Sequence, residues 1–137
     1  MEEDAELEAI KRRMLRRLMS EASERGRSEV LDRPVEVDDR SLDEFVRRHP
    51  IAVIDCWATW CPPCRMLAPV IDELARRYAG RIAFGKLDVD LNPETVRRYS
   101  IMEVPTLLVF KRGALVGRII GFRPLPELDE LLRGYLD

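Results

Sequence analysis

The sequence predicts an α/β protein: a central mixed β-sheet flanked by helices on both faces, plus an extra N-terminal helix. Three observations lead there. Runs of branched apolar residues alternate with runs of helical periodicity from residue 35 onward. A hairpin and a last helix close that alternation, so antiparallel pairing joins the strand–helix units and the sheet is mixed. Residues 1–33 stand apart, with a helical stripe, no strand and a polar stretch behind it.

Each element has its own signal. Leu7, Ile10, Met14, Leu18 and Ala22 recur at steps of three and four, with Leu15 and Met19 beside them, so residues 5–25 form one stripe on a helix. Five acids (Glu2, Glu3, Asp4, Glu6, Glu8) precede five bases (Lys11, Arg12, Arg13, Arg16, Arg17), an order that suits the helix dipole. Gly26 is the expected stop. The polar stretch 27–33 leads to Pro34 and divides the chain into a helical extension, 1–33, and a domain, 34–137. In that domain 35–37 reads as a short strand, 38–41 offers helix caps, and Leu42, Phe45 and Val46 give the next helix its apolar side. Residues 51–57 are dense in branched apolar side chains, as in a strand buried on both faces. Met66, Leu67, Val70, Ile71 and Leu74 mark a helix over 61–78. Pro69 is expected to kink it, because proline lacks the amide donor and clashes with the preceding turn. A third strand covers 82–89 and a short helix 93–99. Strands over 106–111 and 114–121 meet at Arg112-Gly113, a hairpin signal, and 125–136 closes the chain as an amphipathic helix.

Composition excludes several classes of function. With 137 residues the domain has one core, and a net charge of -2 gives no strong attraction to nucleic acid or an anionic membrane. No apolar run approaches the length of a membrane span. The opening Met-Glu-Glu-Asp lacks the basic and apolar regions of a signal peptide, so a cytoplasmic location is expected. The three cysteines, Cys56, Cys61 and Cys64, lie within nine residues. An odd, clustered set is not a disulfide framework, so the thiols are expected to be chemical.

Cys61-Pro62-Pro63-Cys64 falls where a buried strand hands over to a helix. Residues three apart on a helix are neighbours, about 5–6 Å between Cβ atoms, so a disulfide can close with little rearrangement. The loop it closes is tiny and adds little chain-entropy stabilisation, which suits exchange. At a helix N-terminus the free amides and the dipole favour a thiolate on Cys61, while Cys64, one turn in, is expected to be more enclosed. Cys61 then attacks a substrate disulfide and Cys64 resolves the mixed disulfide. Pro62 and Pro63 fit a first turn whose missing N–H groups would be unsatisfied anyway. Zinc wants four ligands, and one such pair with one histidine, His49, falls short, so no metal site is expected. His49 reads as a solvated helix-end residue, and Cys56 as a small buried core residue.

The segment Asp55-Cys56-Trp57-Ala58-Thr59-Trp60-Cys61-Pro62-Pro63-Cys64-Arg65 resembles the active-site segment of thioredoxins, usually W-C-G-P-C-K. Lys86-Leu87-Asp88-Val89-Asp90, Val104-Pro105-Thr106-Leu107, Phe110, Gly113 and Gly121 follow in the family's order, so the resemblance covers residues 35–137. It implies a thioredoxin-like fold and dithiol–disulfide exchange on protein substrates, with an electron-donating disulfide reductase or small thiol as partner. It implies Asp55 as the buried carboxylate beneath the cysteines, exchanging a proton with Cys64, and Lys86 as its lysine partner. It also implies Pro105 as the cis-proline of the substrate loop, with Trp60, Val104 and Gly121 on the contact surface beside Pro62 and Pro63. Trp57 is expected to pack beneath the active-site turn.

Three departures from the family pattern stand out. Pro62 replaces a glycine and stiffens the turn, Glu103 adds bulk and negative charge to the docking face, and Cys56 replaces an aromatic residue. No organic cofactor is implied: there is no Gly-rich dinucleotide fingerprint, and the cysteine pair itself carries the electrons. Two other functions fit the same residues, a disulfide oxidase or isomerase, and an interaction module acting through the N-terminal helix. The stripe of that helix is expected to dock on the domain, pair with a second chain or recruit a dedicated partner. The acids beside its basic cluster argue against nucleic acid.

Overall fold

The computed structural model describes residues 2–28 and 30–136, with side chains described for 3–19 and 30–136. The chain divides into two compact units, Met1–Val30 and Leu31–Asp137. The first is a single helix, α1 (Glu2–Ser28), longer than its stripe alone predicts. Gly26 is not its stop. Its backbone stays helical, and glycine in a helix costs only about 1 kcal/mol against alanine. The side chain of Ala22 lies outside the described residues.

The second unit is built on a five-stranded sheet of order β1-β3-β2-β4-β5. Its strands are β1 (Val35–Glu36), β2 (Ile51–Trp57), β3 (Ala83–Asp88), β4 (Thr106–Lys111) and β5 (Ala114–Ile120). β3 runs parallel to both β1 and β2, whereas β4 runs antiparallel to β2 and β5 antiparallel to β4, so the sheet is mixed as expected. Arg112 and Gly113 close the last hairpin, both in the left-handed region (φ 51° and 83°) that its turn requires.

Strand alternation sorts the core into two layers. Val53, Phe84, Leu107 and Val109 pack against α3 (Pro62–Arg77) and α5 (Leu125–Arg133), through Leu67, Ile71, Leu74, Leu128 and Leu132. Ala52, Ile54, Cys56, Leu87, Leu108 and Phe110 face the other way, toward α2 (Leu42–Arg48) and α4 (Pro93–Arg98). α3 is one continuous helix through Pro69. Its two ends are joined to other parts of the fold: Cys61 caps the first turn, and at the far end Tyr78 donates to the Asp129 carboxylate of α5, which also accepts from Arg133 at 2.8 Å.

Two local expectations change. Ser41 does not cap α2; its hydroxyl accepts from the Asp38 amide at 2.9 Å, within a turn that the Asp38 carboxylate closes on the amides of Arg40 and Ser41. His49 is buried, not solvated, and tilts against the Phe45 ring at 5.0 Å between centroids. It follows the last turn of α2, where the chain folds back at once into β2 and carries the ring under the helix.

α4 takes its cap from a distant segment. Asn92 makes no side-chain cap bond; instead the Asp39 carboxylate accepts from the amides of Glu94 (3.2 Å) and Thr95 (2.9 Å) and from the Thr95 hydroxyl (2.6 Å). Asn92 accepts in return from the Asp39 amide at 2.9 Å. Asp39→Ala removes this cap and is expected to cost about 1–2 kcal/mol. A thermal melt then shows Tm lower by roughly 4–15 °C for a domain of this size, with disulfide exchange by the folded protein unchanged.

Candidate active site

Seven buried or half-buried residues of β2 end in Trp57, after which a tight turn, 58–61, delivers the chain to α3. Ala58 is buried, and its carbonyl accepts from the Cys61 amide at 3.3 Å. Cys61 is the N-cap of α3, with extended backbone, and its Sγ accepts from the Cys64 amide at 3.2 Å. Pro62 and Pro63 occupy the first helical positions, exposed, where a missing N–H costs nothing. The Cys61–Cys64 disulfide is closed, with the Cα atoms 5.3 Å apart. Whole-residue burial does not separate the two sulfurs as expected: Cys61 is 2% exposed and Cys64 4%. What distinguishes them is position, because Cys61 holds the amide of the first turn and Cys64 is already inside the helix.

The surroundings come from three other segments. Cys61 and Cys64 pack with Ala58, Trp57, Val89 and Val104. Cys61 Sγ lies 3.7 Å from the carbonyl oxygen of Val104, and the Val104–Pro105 peptide bond is cis, with Pro105 buried. Gly121 (φ 88°) donates its amide to the Pro105 carbonyl at 2.8 Å, fastening the end of β5 to that loop. Trp60 is exposed, and its indole N–H donates to the Asp90 carboxylate at 2.9 Å. Beside it runs a groove of about 490 Å³, floored by Val89, Val96, Ile101 and Val104 and rimmed by Met102 and Glu103. Sequence reasoning missed Asp90 as a site residue. It lies within the Lys86–Asp90 motif, but the contact with Trp60 spans thirty positions and has no local signature.

Beneath the cysteines sits Asp55, 1% exposed. Its two carboxylate oxygens have no hydrogen-bond partner among the described residues, nor has the Trp57 indole N–H. Burial pushes the Asp55 carboxyl up to about 6, with Lys86 pulling it back and Asp72 adding to the rise. Lys86 is directly across the strand pair from Asp55, and its Nζ stands 5.2 Å from the centre of the Trp57 ring. Asp55, Trp57 and Lys86 therefore share the face of the sheet that carries α3. Cys56 points to the opposite layer, where burial pushes its thiol up to about 12, so it stays protonated and inert. It is the core residue the sequence predicts.

A sulfur at a helix N-terminus, a second sulfur one turn on and a buried carboxyl titrating near neutrality can carry out thiol–disulfide exchange. Comparison with known proteins agrees. A family model for thioredoxin matches residues 33–134. The chain belongs to the thioredoxin family. It is 46% identical over 102 residues to a thioredoxin of Staphylococcus aureus (strain Mu50 / ATCC 700699), an overlap of 74% of this chain and 97% of the relative. The match to a Staphylococcus haemolyticus thioredoxin is 45% over the same length. Among solved structures, a mutant thioredoxin from Halobacterium salinarum NRC-1 superposes with a TM-score of 0.73 at 33% identity, covering 77% of this chain and 93% of that one. The chain is accordingly a thiol–disulfide oxidoreductase, with Cys61 and Cys64 as its cysteine pair.

The Asp55 carboxyl has a stability consequence of definite sign. Its folded value, about 6, lies above the ordinary 3.8, so between those values the folded state holds a proton that the unfolded chain releases. Stability is then full below pH 3.8 and falls as pH rises to about 6, by up to about 3 kcal/mol. Asp55→Asn is expected to be more stable than the wild type at pH 7 and equal to it near pH 3.8, as urea unfolding at the two pH values would show.

Proposed function

We propose that the pair works as a reductant, with Cys61 as the attacking sulfur and Cys64 as the resolving one. The observation that carries this reading is the N-cap geometry. Cys61 Sγ already accepts the Cys64 amide, so negative charge at that sulfur is met by a backbone donor and the helix dipole. The Cys61 thiolate attacks one sulfur of the substrate disulfide and releases the other as a thiolate. Cys64 then gives its proton to the Asp55 carboxylate and attacks Cys61 Sγ, which releases the second substrate sulfur and leaves Cys61–Cys64 oxidised. With its carboxyl pushed up to about 6, Asp55 is ionised at pH 7 and can take that proton. Lys86 acts through Asp55 by favouring the carboxylate.

Trp60, Pro62, Pro63, Val104, Pro105 and Gly121 form the docking surface in this reading, supported by the contacts that gather Cys61, Val104 and Gly121 around Pro105. Residues 34–137 carry the chemistry and 1–33 are an extension. Each turnover oxidises the cysteine pair, so a disulfide reductase has to return two electrons, and a cytoplasmic setting keeps such a dithiol reduced. Self-association through α1 belongs to the same reading, supported by the stripe of Leu7, Ile10, Met14 and Leu18.

The test of the reductant role is the reduction potential of the pair, measured by equilibration with defined glutathione ratios and a Cys61→Ser control. Each 30 mV or so is a tenfold change in the two-electron equilibrium. A value at or below the cytosolic glutathione poise is expected. A value far above it would make the chain an oxidase or isomerase.

A further inference from the structure

α1 carries an apolar stripe and an ordered charge pattern that together specify an occupant for that stripe. A helix turns about 100° per residue, which places Leu7, Ile10, Met14 and Leu18 within an arc of about 80°. A single helix has no interior, so such a stripe is stable only against another element. Glu6, Arg13 and Arg17 flank it on one side, and Glu8, Lys11 and Arg12 on the other. Glu8 and Lys11 approach within 3.9 Å along the helix, an exposed pair of little worth. Glu6, Arg13 and Arg17 make no ion pair among the described residues.

We propose that the occupant is α1 of a second copy of this chain, lying antiparallel and centred near Ile10 and Lys11. The proposal rests on the self-association read for α1 and adds its orientation and register. In an antiparallel pair each flank meets the same flank of the other helix, and flanking charges set orientation. About that centre, Glu6 falls level with the stretch between Arg13 and Arg17 of the other copy, and Glu8 falls beside its Lys11 and Arg12. The same register sets Leu7 against Met14 and Ile10 against its own copy. A parallel pair would stack five acids on five acids and five bases on five bases, and would align the two dipoles. Only the antiparallel arrangement lets the stripe close without that repulsion.

The experiment uses the full chain. Sedimentation equilibrium is expected to show a doubling of mass with concentration that weakens at about 1 M salt, where the Debye length is about 3 Å. Orientation is read in the Cys61→Ser/Cys64→Ser background by adding Leu7→Cys or Met14→Cys and oxidising with copper phenanthroline. The antiparallel register predicts a crosslinked dimer when the two variants are mixed and none from either alone. Crosslinking of each variant with itself, together with association that strengthens in salt, would overturn the orientation and leave self-association standing. A chain that stays monomeric at every concentration would remove self-association and the orientation with it.

Discussion

A carboxylate is held in the middle of a strand that water does not reach, and the site depends on that placement. β2 lies between β3 and β4, with helices over both faces, and the six residues from Ile51 to Cys56 are buried. Strand parity then divides its side chains. Asp55 turns toward the layer that holds α3, and Cys56 one residue on turns away from it. A one-residue slip of register would exchange the two, putting an inert thiol beneath the disulfide and a charge into the layer of Leu87, Leu108 and Phe110. The antiparallel pairing of β2 with β4 and its parallel pairing with β3 fix that register from both sides. Burying Asp55 without a hydrogen-bond partner among the described residues raises its carboxyl, and the proposed chemistry uses that rise.

The rest of the site follows from where β2 ends. A strand that stops at Trp57 and turns into a helix at Cys61 leaves the first turn of α3 at the C-terminal end of that interior strand, where Pro62 and Pro63 carry no N–H and the Cys64 amide donates to Cys61 Sγ. Backbone bonds hold the neighbouring segments there: Val89 donates to the Trp57 carbonyl at 2.9 Å, and Gly121 to that of Pro105. α4, capped by Asp39, leads directly into the loop that carries Met102, Glu103 and Val104. Pro62, between the cysteines, and the acidic Glu103 depart from the usual family pattern, and both are exposed.

Much of this was legible in the sequence because the signals are local. β2 and β4 occupy the ranges their apolar runs predict, and the cysteine spacing together with the strand before it locates the helix N-terminus. Strand parity alone puts Cys56 opposite Asp55. What could not be read depends on partners far away in the chain. The Asp39 cap reaches across more than fifty residues, and the Trp60–Asp90 bond across thirty. His49 reads as a surface residue from its neighbours Arg48 and Pro50, and only the packing of α2 against β2 buries it. Gly26 carries a stop signal whose effect a single weak helix position does not enforce. The greater enclosure expected of Cys64 fails for another reason: the Val104 loop covers Cys61 as well, and that loop is distant in sequence.

The most direct test of the exchange mechanism is a trapping experiment. Cys64→Ser, reacted with a disulfide-bonded protein and analysed by peptide mass mapping, is predicted to stall as a mixed disulfide at Cys61, with Cys56 unmodified. Cys61→Ser, treated alike, is predicted to trap nothing. An adduct on Cys64 in the second variant, or on Cys56 in either, would contradict the assignment of Cys61 as the attacking sulfur.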